Sequence, residues 1–168
     1  MECGIALGSN TGDRRGNITA GLHQMAALGH ITALSPLYET EPVDCPEGSG
    51  AFFNGVAVFQ WSSTAEALLV ALRKIEVSLG RPAIRPWHAP RPLDLDILYA
   101  GDLTCHTATL TLPHPRLAER RFVLQPLADI RPELLLPGMD HTVSALLQRC
   151  PGSPLPVACL IHLRPFTR

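Results

Sequence analysis

A proline-rich segment in the middle of the chain limits the folds that this sequence can adopt. Residues 81–92 contain four prolines and three arginines and no acidic residue. Proline fixes its own φ angle, removes a backbone donor and disfavours the helical conformation of the preceding residue. This density of prolines therefore excludes a helix and a central strand, and predicts a loop with an extended local conformation.

A short strand that carries two carboxylates is predicted directly after this loop. Asp94 and Asp96 alternate with Leu93, Leu95 and Ile97. Side chains two residues apart share one face of a strand, with Cα atoms about 6.5 Å apart. Two like charges this close favour a bound cation such as Mg²⁺, which proteins hold with one or two carboxylates, water and phosphate oxygens. The alternative interpretation is an edge strand with a solvated polar face.

The loop brings positive charge to the carboxylate pair. Arg81, Arg85 and Arg91 are spaced along it, and guanidinium groups present planar sets of donors that suit phosphate oxygens. Arginines beside a metal stabilise phosphoryl transfer by neutralising charge. The combination favours a polyphosphate site over the ordinary alternative, which is a solvated connection.

The composition excludes several classes of protein. A length of 168 residues fits one domain, residues 1–168, and a formal charge of −1 gives no general field for binding nucleic acid. No apolar run approaches the ~20 residues of a membrane span. The five cysteines lack a CxxC pair and a metal-ligand spacing, and are interpreted as reduced thiols. The expectation is a cytoplasmic protein that binds small molecules and acts as a monomer.

The predicted elements follow the order β-α-β-β-α-β. This order is typical of an α+β, ferredoxin-like sandwich with two helices on one face of an antiparallel sheet, here with C-terminal additions. A capping box at Ser63-Thr64-Ala65-Glu66 opens the second helix, and Gly80 ends it. Further on, a short strand over 109–112 and a helix over 116–128, interrupted near Pro126, are predicted. The predicted core elements are strands 3–7, 31–39 and 52–61, the Asp94 strand, and helices around 18–26 and 68–79. The tail over 150–168 receives no function.

Three polar positions have more than one interpretation. Asn54 interrupts an apolar strand, so it either closes a local turn or contacts the polar edge of a flat ligand beside Phe52. Glu76 lies off the apolar stripe of its helix, near the C-terminus, where negative charge is unfavourable. It is either paired with cations near Lys74 and solvent or used by a ligand. The turn Gly8-Ser9-Asn10-Thr11-Gly12 lacks both phosphate-loop spacings and is expected to be a tight connection.

Taken together, these segments resemble the 6-hydroxymethyl-7,8-dihydropterin pyrophosphokinases of folate biosynthesis. The resemblance extends over residues 5 to about 135, and its most specific part is the string Pro90-Arg91-Pro92-Leu93-Asp94-Leu95-Asp96-Ile97. The other matching motifs are Ala6-Leu7-Gly8-Ser9-Asn10, Ser35-Pro36-Leu37-Tyr38-Glu39-Thr40, Phe53-Asn54-Gly55, Ile75-Glu76, Gly80-Arg81, Pro113-His114 and Arg120-Arg121-Phe122.

The resemblance implies transfer of the β,γ-pyrophosphoryl group of ATP to a pterin hydroxymethyl oxygen, with release of AMP. It implies two Mg²⁺ ions bridged by Asp94 and Asp96, with Arg81 and Arg91 on the polyphosphate as catalytic residues. Either Trp87 or His88 would close over the site. The implied nucleotide contacts are Arg73, Glu76, Arg85, His88, Ile97, Thr111, His114 and Arg120, and the implied pterin contacts are Thr40, Glu41, Val43, Phe52, Asn54 and Phe122. Arg116 and Arg121, which flank Arg120 in the sequence, are further candidates to reach the phosphates.

Two other functions compete with this one. A catalytically silent relative would bind nucleotide or pterin as a sensor, but both aspartates and both catalytic arginines are present. A metal-dependent phosphohydrolase would need a group that activates water near the metal, for which His88 and His114 are the candidates. The identity of the nucleotide product separates the three.

Overall fold

The computed structural model describes residues 1–42, 50–81 and 91–151, and the backbone of residues 157–161. Two helices and five strands form the N-terminal part, and shorter elements follow. The strands are β1 (Glu2–Ser9), β2 (His30–Leu34), β3 (Leu37–Thr40), β4 (Phe52–Gln60), β5 (Asp94–Ala100), β6 (Cys105–His106), β7 (Thr111–Leu112) and β8 (Val157–Ile161). The helices are α1 (Arg14–Leu28), α2 (Ala65–Ser78), α3 (Arg121–Ile130) and α4 (Val143–Arg149), with a 3₁₀ turn at Leu117–Glu119.

One antiparallel sheet organises the fold. Its order is β5-β1-β4-β3-β8, with β2 also paired to β4, while β6 and β7 form a separate hairpin. β1 and β4 lie at the centre of the sheet, with β5 beside β1 and with β2 and β3 beside β4. The ferredoxin-like α+β prediction is therefore confirmed, and the C-terminal additions include a strand, β8, at the edge beside β3. Among the described residues, no helix has the length and apolar character needed to cross a membrane.

The sheet separates two apolar clusters. The first packs α1 and α2 against the sheet through residues such as Leu22, Leu72 and Leu95. The second joins α3 and α4 to the sheet through residues such as Leu98 and Leu127. Because side chains alternate along β5, Leu95 enters the first cluster and Leu98 the second, and Asp94 and Asp96 are left facing a cleft.

The single strand predicted over 31–39 is wrong in one respect, because it consists of β2 and β3 with a break at Ser35 and Pro36. Pro36 has no backbone donor for the sheet. Ser35 compensates, since its backbone N–H donates to the Val56 carbonyl at 2.9 Å and its hydroxyl accepts from the Val56 N–H at 2.9 Å. The break lets β2 and β3 pair with different parts of β4.

The ends of α2 follow local sequence rules with one shift. Thr64, and not Ser63, is the N-cap, and its hydroxyl accepts from the Ala67 N–H at 3.2 Å. At the other end Gly80 has a φ of 93°. The Gly80 N–H donates to the Val77 carbonyl and the Arg81 N–H donates to the Glu76 carbonyl, both at 3.0 Å. This is a Schellman motif, and it places Arg81 directly beside the last turn of α2.

The helix predicted over 116–128 is interrupted at a different residue. The break falls at Arg120, which has an extended backbone (φ −107°, ψ 98°), and Pro126 lies inside α3. Pro126 removes the one helical hydrogen bond that would reach the Phe122 carbonyl, and α3 continues to Ile130. The break at Arg120 turns α3 so that Phe122 and Val123 contribute to a cleft.

Candidate active site

Two clefts among the described residues share the strand β5. The aromatic cleft, about 790 Å³ when the space open to solvent is included, lies between the ends of β3 and β4, the strand β5 and the start of α3. The hairpin cleft, about 860 Å³ on the same measure, lies between α2, β5 and the β6–β7 hairpin. Asp96 and His114 line both clefts. The two clefts therefore meet at these two side chains.

Asp94 is held by two arginines that come from opposite ends of the 81–92 segment. Arg81 Nη1 lies 2.7 Å from Asp94 Oδ1, and Arg91 Nη1 lies 3.2 Å from Asp94 Oδ2. All three side chains are mostly buried, with 17% to 18% of each exposed. The predicted strand and loop thus bring one carboxylate and two guanidinium groups together at the junction of the clefts. The solvated-face alternative is wrong for Asp94, although β5 is an edge strand.

Glu76 supports this group from α2. It is only 5% exposed, it forms an ion pair with Arg81, and its Oε1 accepts from the Leu95 N–H at 2.8 Å. Burial raises the pKa of Glu76 to about 7. The alternative in which Glu76 is solvated and paired near Lys74 is wrong, because the helix end turns back and brings Arg81 into an ion pair with it. Glu76 also lines the hairpin cleft.

Asp96 differs from Asp94 in its surroundings. Its side chain is exposed to solvent, and the surrounding protein together with the negative charge of Asp94 raises the pKa of Asp96 to about 6. No group of three or more His, Cys, Asp or Glu side chains in the described part of the chain is placed to hold a metal ion. Two carboxylates of one strand are nevertheless the donor set that Mg²⁺ uses when substrate phosphates and water supply its other ligands.

The aromatic cleft combines two rings with an amide. The Arg91 guanidinium lies over the Phe52 ring, 5.7 Å from the ring centre, and the Arg120 guanidinium lies 5.7 Å from the centre of the Phe122 ring. Asn54 is 8% exposed, and its Nδ2 donates to Thr40 Oγ1 at 2.7 Å. The local-turn alternative for Asn54 is wrong, because the residue lies within β4. Asn54 lines the aromatic cleft together with Phe52 and Phe122.

His114 lines the junction with a defined tautomer and charge. Its backbone N–H donates to the Leu98 carbonyl at 2.8 Å, and its Nδ1 accepts from the Arg116 N–H at 3.2 Å. A ring nitrogen that accepts carries no proton, so the proton of the neutral ring is on Nε2. Burial and the positive charge of Arg120 lower the pKa of His114 to about 4. His114 is therefore a neutral donor at neutral pH.

Every site residue that the family resemblance implies, where the structure describes it, lines one of the two clefts. Arg116 lines the aromatic cleft as well, whereas Arg121 does not, because its Nη1 points to the Leu147 carbonyl at 3.4 Å. The predictions for Val43, Arg85, Trp87 and His88 fall outside the described residues. The predicted residues in the aromatic cleft are Thr40, Glu41, Phe52, Asn54, Arg91, Asp94, Asp96, His114, Arg120 and Phe122, and those in the hairpin cleft are Arg73, Glu76, Arg81, Asp96, Ile97, Thr111 and His114.

Sequence reasoning missed the roles of the hairpin and of Asn10. Thr107, Thr109 and Leu110 form a wall of the hairpin cleft, and no motif in the sequence points to them. Asn10, which is buried, forms two hydrogen bonds with the backbone of Arg91: its Oδ1 accepts from the Arg91 N–H at 2.8 Å, and its own N–H donates to the Arg91 carbonyl at 3.3 Å. The segment predicted as a tight connection is thus more than that: Gly8 and Ser9 are the last residues of β1, and Asn10 fixes the arginine beside Asp94.

Comparison with known proteins matches this arrangement to one family. The model of the 7,8-dihydro-6-hydroxymethylpterin-pyrophosphokinase (HPPK) family matches residues 4–132. The chain belongs to the HPPK family. That range contains every described site residue, from Thr40 in β3 to Phe122 in α3.

Several curated HPPK relatives are similar over most of the chain. The 2-amino-4-hydroxy-6-hydroxymethyldihydropteridine pyrophosphokinase of Pseudomonas aeruginosa is 40% identical over 149 residues, which cover 88% of this chain and 90% of the relative. The enzyme of the same name from Bacillus subtilis is 43% identical over 129 residues, 75% of each chain. The mitochondrial folate synthesis bifunctional protein of Pisum sativum is 42% identical over 131 residues, but these cover only 25% of that longer protein.

Solved structures share the HPPK fold at lower identity. A crystal structure of the Plasmodium falciparum HPPK-DHPS triple mutant matches with a TM-score of 0.70 and 16% identity, and covers 88% of this chain and 43% of that one. At this identity the likeness concerns the fold alone. It agrees with the antiparallel sheet and the flanking helices described above.

Proposed function

We propose that this chain transfers the pyrophosphoryl group of ATP to 6-hydroxymethyl-7,8-dihydropterin, in the synthesis of folate, at the junction of the two clefts. The products are AMP and the pterin diphosphate. The observation that carries the proposal is the convergence of two differently lined clefts on Asp96 and His114. A transfer between two bound molecules needs two adjoining sites with the reacting atoms where they meet.

The aromatic cleft is the pterin site in this proposal. A flat heterocycle fits between Phe52 and Phe122, and stacking on aromatic rings is worth about 0.5–1.5 kcal/mol beyond the area buried. Asn54 selects the ring through hydrogen bonds, since Thr40 holds the amide in one orientation. A site with buried polar groups rejects molecules that leave those groups without partners.

The hairpin cleft is the nucleotide site. Its walls combine apolar side chains such as Leu69 and Ile97 with Thr107 and Thr111, a lining that suits a purine and a ribose. Arg73 and Glu76 border the same cleft. The triphosphate then extends toward Asp96 and the arginines at the junction.

Asp94 and Asp96 would hold Mg²⁺, and their all-oxygen donor set fits this hard cation. When bound, Mg²⁺ supplies charge neutralisation at the transferred group. Two ions, a cytoplasmic location and a monomeric state are also part of the proposal and rest on the sequence and its family resemblance.

The chain's own residues then act on charge and position. The pterin hydroxyl oxygen attacks the β-phosphorus and its proton passes to solvent, the bond from this phosphorus to the α,β-bridging oxygen breaks, and AMP leaves with that oxygen. Arg81 and Arg91 neutralise the charge of the phosphate oxygens. They give up part of their contact with Asp94 and contact the substrate instead. His114 donates its Nε2 proton in a hydrogen bond, since its pKa of about 4 keeps it neutral before and after the step.

Product analysis tests the proposal. Purified protein with ATP, Mg²⁺ and the hydroxymethyl pterin should give AMP and pterin diphosphate in equal amounts. ADP with a pterin monophosphate would reject pyrophosphoryl transfer and leave an ordinary kinase. Phosphate or pyrophosphate released without pterin modification would indicate a hydrolase, and binding without turnover would indicate a sensor.

A further inference from the structure

Arg14 contacts two strand ends on the side of the sheet away from the aromatic cleft. It is the first residue of α1. Its Nη1 donates to the Ala51 carbonyl at 2.7 Å, and its Nη2 lies 2.8 Å from Glu39 Oε1. Its guanidinium lies 3.9 Å from the centre of the Phe53 ring. One side chain therefore joins the end of β3 to the start of β4.

The residues that Arg14 contacts are the sequence neighbours of the residues that line the aromatic cleft. Glu39 precedes Thr40, and Ala51 precedes Phe52, which is followed by Phe53 and Asn54. In the ladder Glu39 pairs with Phe53 and Thr40 pairs with Phe52. Because neighbouring side chains of a strand point to opposite faces, Arg14 holds from behind the backbone that presents Thr40, Phe52 and Asn54 to the cleft.

Arg14 is itself held in place by the turn before α1. Asp13 caps the helix, with its Oδ1 accepting from the Gly16 N–H at 2.9 Å. Asn17 Nδ2 donates to the Thr11 carbonyl at 3.0 Å. Only 25% of the Arg14 side chain is exposed. The Arg14 side chain therefore extends from a helix end that these hydrogen bonds hold in place, as a positioning residue requires.

We infer that Arg14 is a positioning residue for the pterin, acting through Thr40, Phe52 and Asn54. The inference rests on the proposed assignment of the pterin to the aromatic cleft. The contact with Glu39 contributes little to stability, since 41% of that side chain is exposed and solvent weakens exposed ion pairs. The effect of Arg14 is to set the spacing between β3 and β4, on which the Thr40–Asn54 hydrogen bond depends.

Binding measurements with two Arg14 variants and controls test this inference. Arg14→Met keeps an unbranched side chain that is shorter than arginine and removes all donors, and Arg14→Lys keeps the charge but not the planar pair of donors. Pterin affinity is measured by calorimetry in the presence of an unreactive ATP analogue and Mg²⁺, and the affinity of the analogue is measured separately. Arg14→Met should weaken pterin binding roughly tenfold, in line with the sensitivity of such sites to small misplacements. Arg14→Lys should restore part of the loss, and the affinity for the analogue should not change.

Two controls separate positioning from loss of stability. Arg15→Met changes the adjacent, exposed arginine and should leave pterin binding unchanged. Glu2→Gln weakens the contact with Arg131, at the end of β1 away from the clefts, and should lower the melting temperature without changing pterin affinity. If Glu2→Gln weakened pterin binding as much as Arg14→Met did, the role of Arg14 would be structural and the inference would be overturned.

A double-mutant cycle with Asn54→Ala completes the test. If Arg14 acts through Asn54, Arg14→Met should cost clearly less in the Asn54→Ala background than in the wild type. Additive effects would overturn the inference, as would an unchanged affinity in Arg14→Met while Asn54→Ala alone weakens binding. If Asn54→Ala alone has no effect on pterin binding, the assignment of the aromatic cleft is wrong and the role of Arg14 falls with it.

Discussion

At the scale of single residues, Asp94 and Asp96 have different surroundings although they share one face of β5. Both oxygens of Asp94 have arginine partners, whereas Asp96 lies at the junction of the clefts, exposed to solvent and with a pKa raised to about 6. A carboxylate whose surroundings disfavour its negative charge gains most from a cation. We therefore expect Asp96 to be the carboxylate on which turnover depends most directly.

Asp96→Ala should lower turnover by roughly 10²–10³-fold at saturating Mg²⁺, the usual cost of losing one electrostatic contact to the transition state. Asp94→Ala should also lower turnover strongly. Asp102→Ala is the matched control, since Asp102 is an exposed aspartate at the turn after β5, and it should be as active as the wild type. Near-normal turnover in Asp96→Ala that remains folded by circular dichroism would contradict the metal assignment.

At the scale of elements, the C-terminal end of α2 builds one side of the site. The Schellman motif joins the backbones of Glu76 and Arg81, and the side chains of the same two residues form an ion pair. Gly80 makes this turn with a φ of 93°, a conformation that costs an L-residue free energy. The position of Arg81, and through it the position of Asp94, therefore depends on a glycine with no side chain in the cleft.

Gly80→Ala should lower the free energy of unfolding by about 1–2 kcal/mol because of its left-handed backbone, and it should also lower turnover by displacing Arg81. Gly138→Ala is the control, because Gly138 has a φ of 71°, has no neighbour within 4 Å of an added Cβ, and lines neither cleft. Chemical denaturation and steady-state kinetics measure both variants. Equal loss of turnover in the two variants would mean that the helix end has no specific role in the site.

At the scale of the whole molecule, contacts between distant segments hold the layers around the clefts. The Tyr38 hydroxyl donates to Asp129 Oδ2 at 2.6 Å and fastens α3 to β3. Glu76 fastens α2 to β5 through the Leu95 N–H at 2.8 Å. This second contact has an energetic consequence, because a buried carboxyl group binds its proton more tightly in the folded chain than in the unfolded one.

The free energy of unfolding should therefore depend on pH through Glu76. The folded pKa of about 7 lies above the ordinary value of 4.5, so between these values the folded chain holds a proton that the unfolded chain releases. The stabilisation is fully present below pH 4.5 and is lost as the pH rises through 7. Relative to the wild type, Glu76→Gln should lose less stability over this interval.

Denaturation curves at several pH values measure this difference. Other groups titrate in the same range in both proteins, so the informative quantity is the difference between the wild type and Glu76→Gln. Glu66→Gln, at an exposed position in the first turn of α2, should follow the wild type. Parallel pH profiles for the wild type and Glu76→Gln would show that Glu76 is ionised in the folded chain at all these pH values.

The sequence by itself determined the features that depend on local periodicity and backbone geometry. Three features follow from spacing and residue type: the common face of Asp94 and Asp96, the position of Leu95 on the opposite face of β5, and the end of α2 at Gly80. The order of the elements indicated the sheet, and the motif around Asp94 indicated the family. Residue motifs of that family also placed Phe52, Asn54 and Phe122 in one site.

Only the tertiary structure decided which distant groups become partners. Asn10 and Arg91 are 81 positions apart, Arg14 and Ala51 are 37 apart, and Glu76 and Leu95 are 19 apart. No local rule connects such pairs, because the free energy of a buried hydrogen bond or ion pair depends on the solvent that folding removes and on the strands that it brings together. For the same reason, local sequence did not predict the break at Ser35 or the burial of Glu76. Both features satisfy hydrogen bonds that exist only in the assembled sheet.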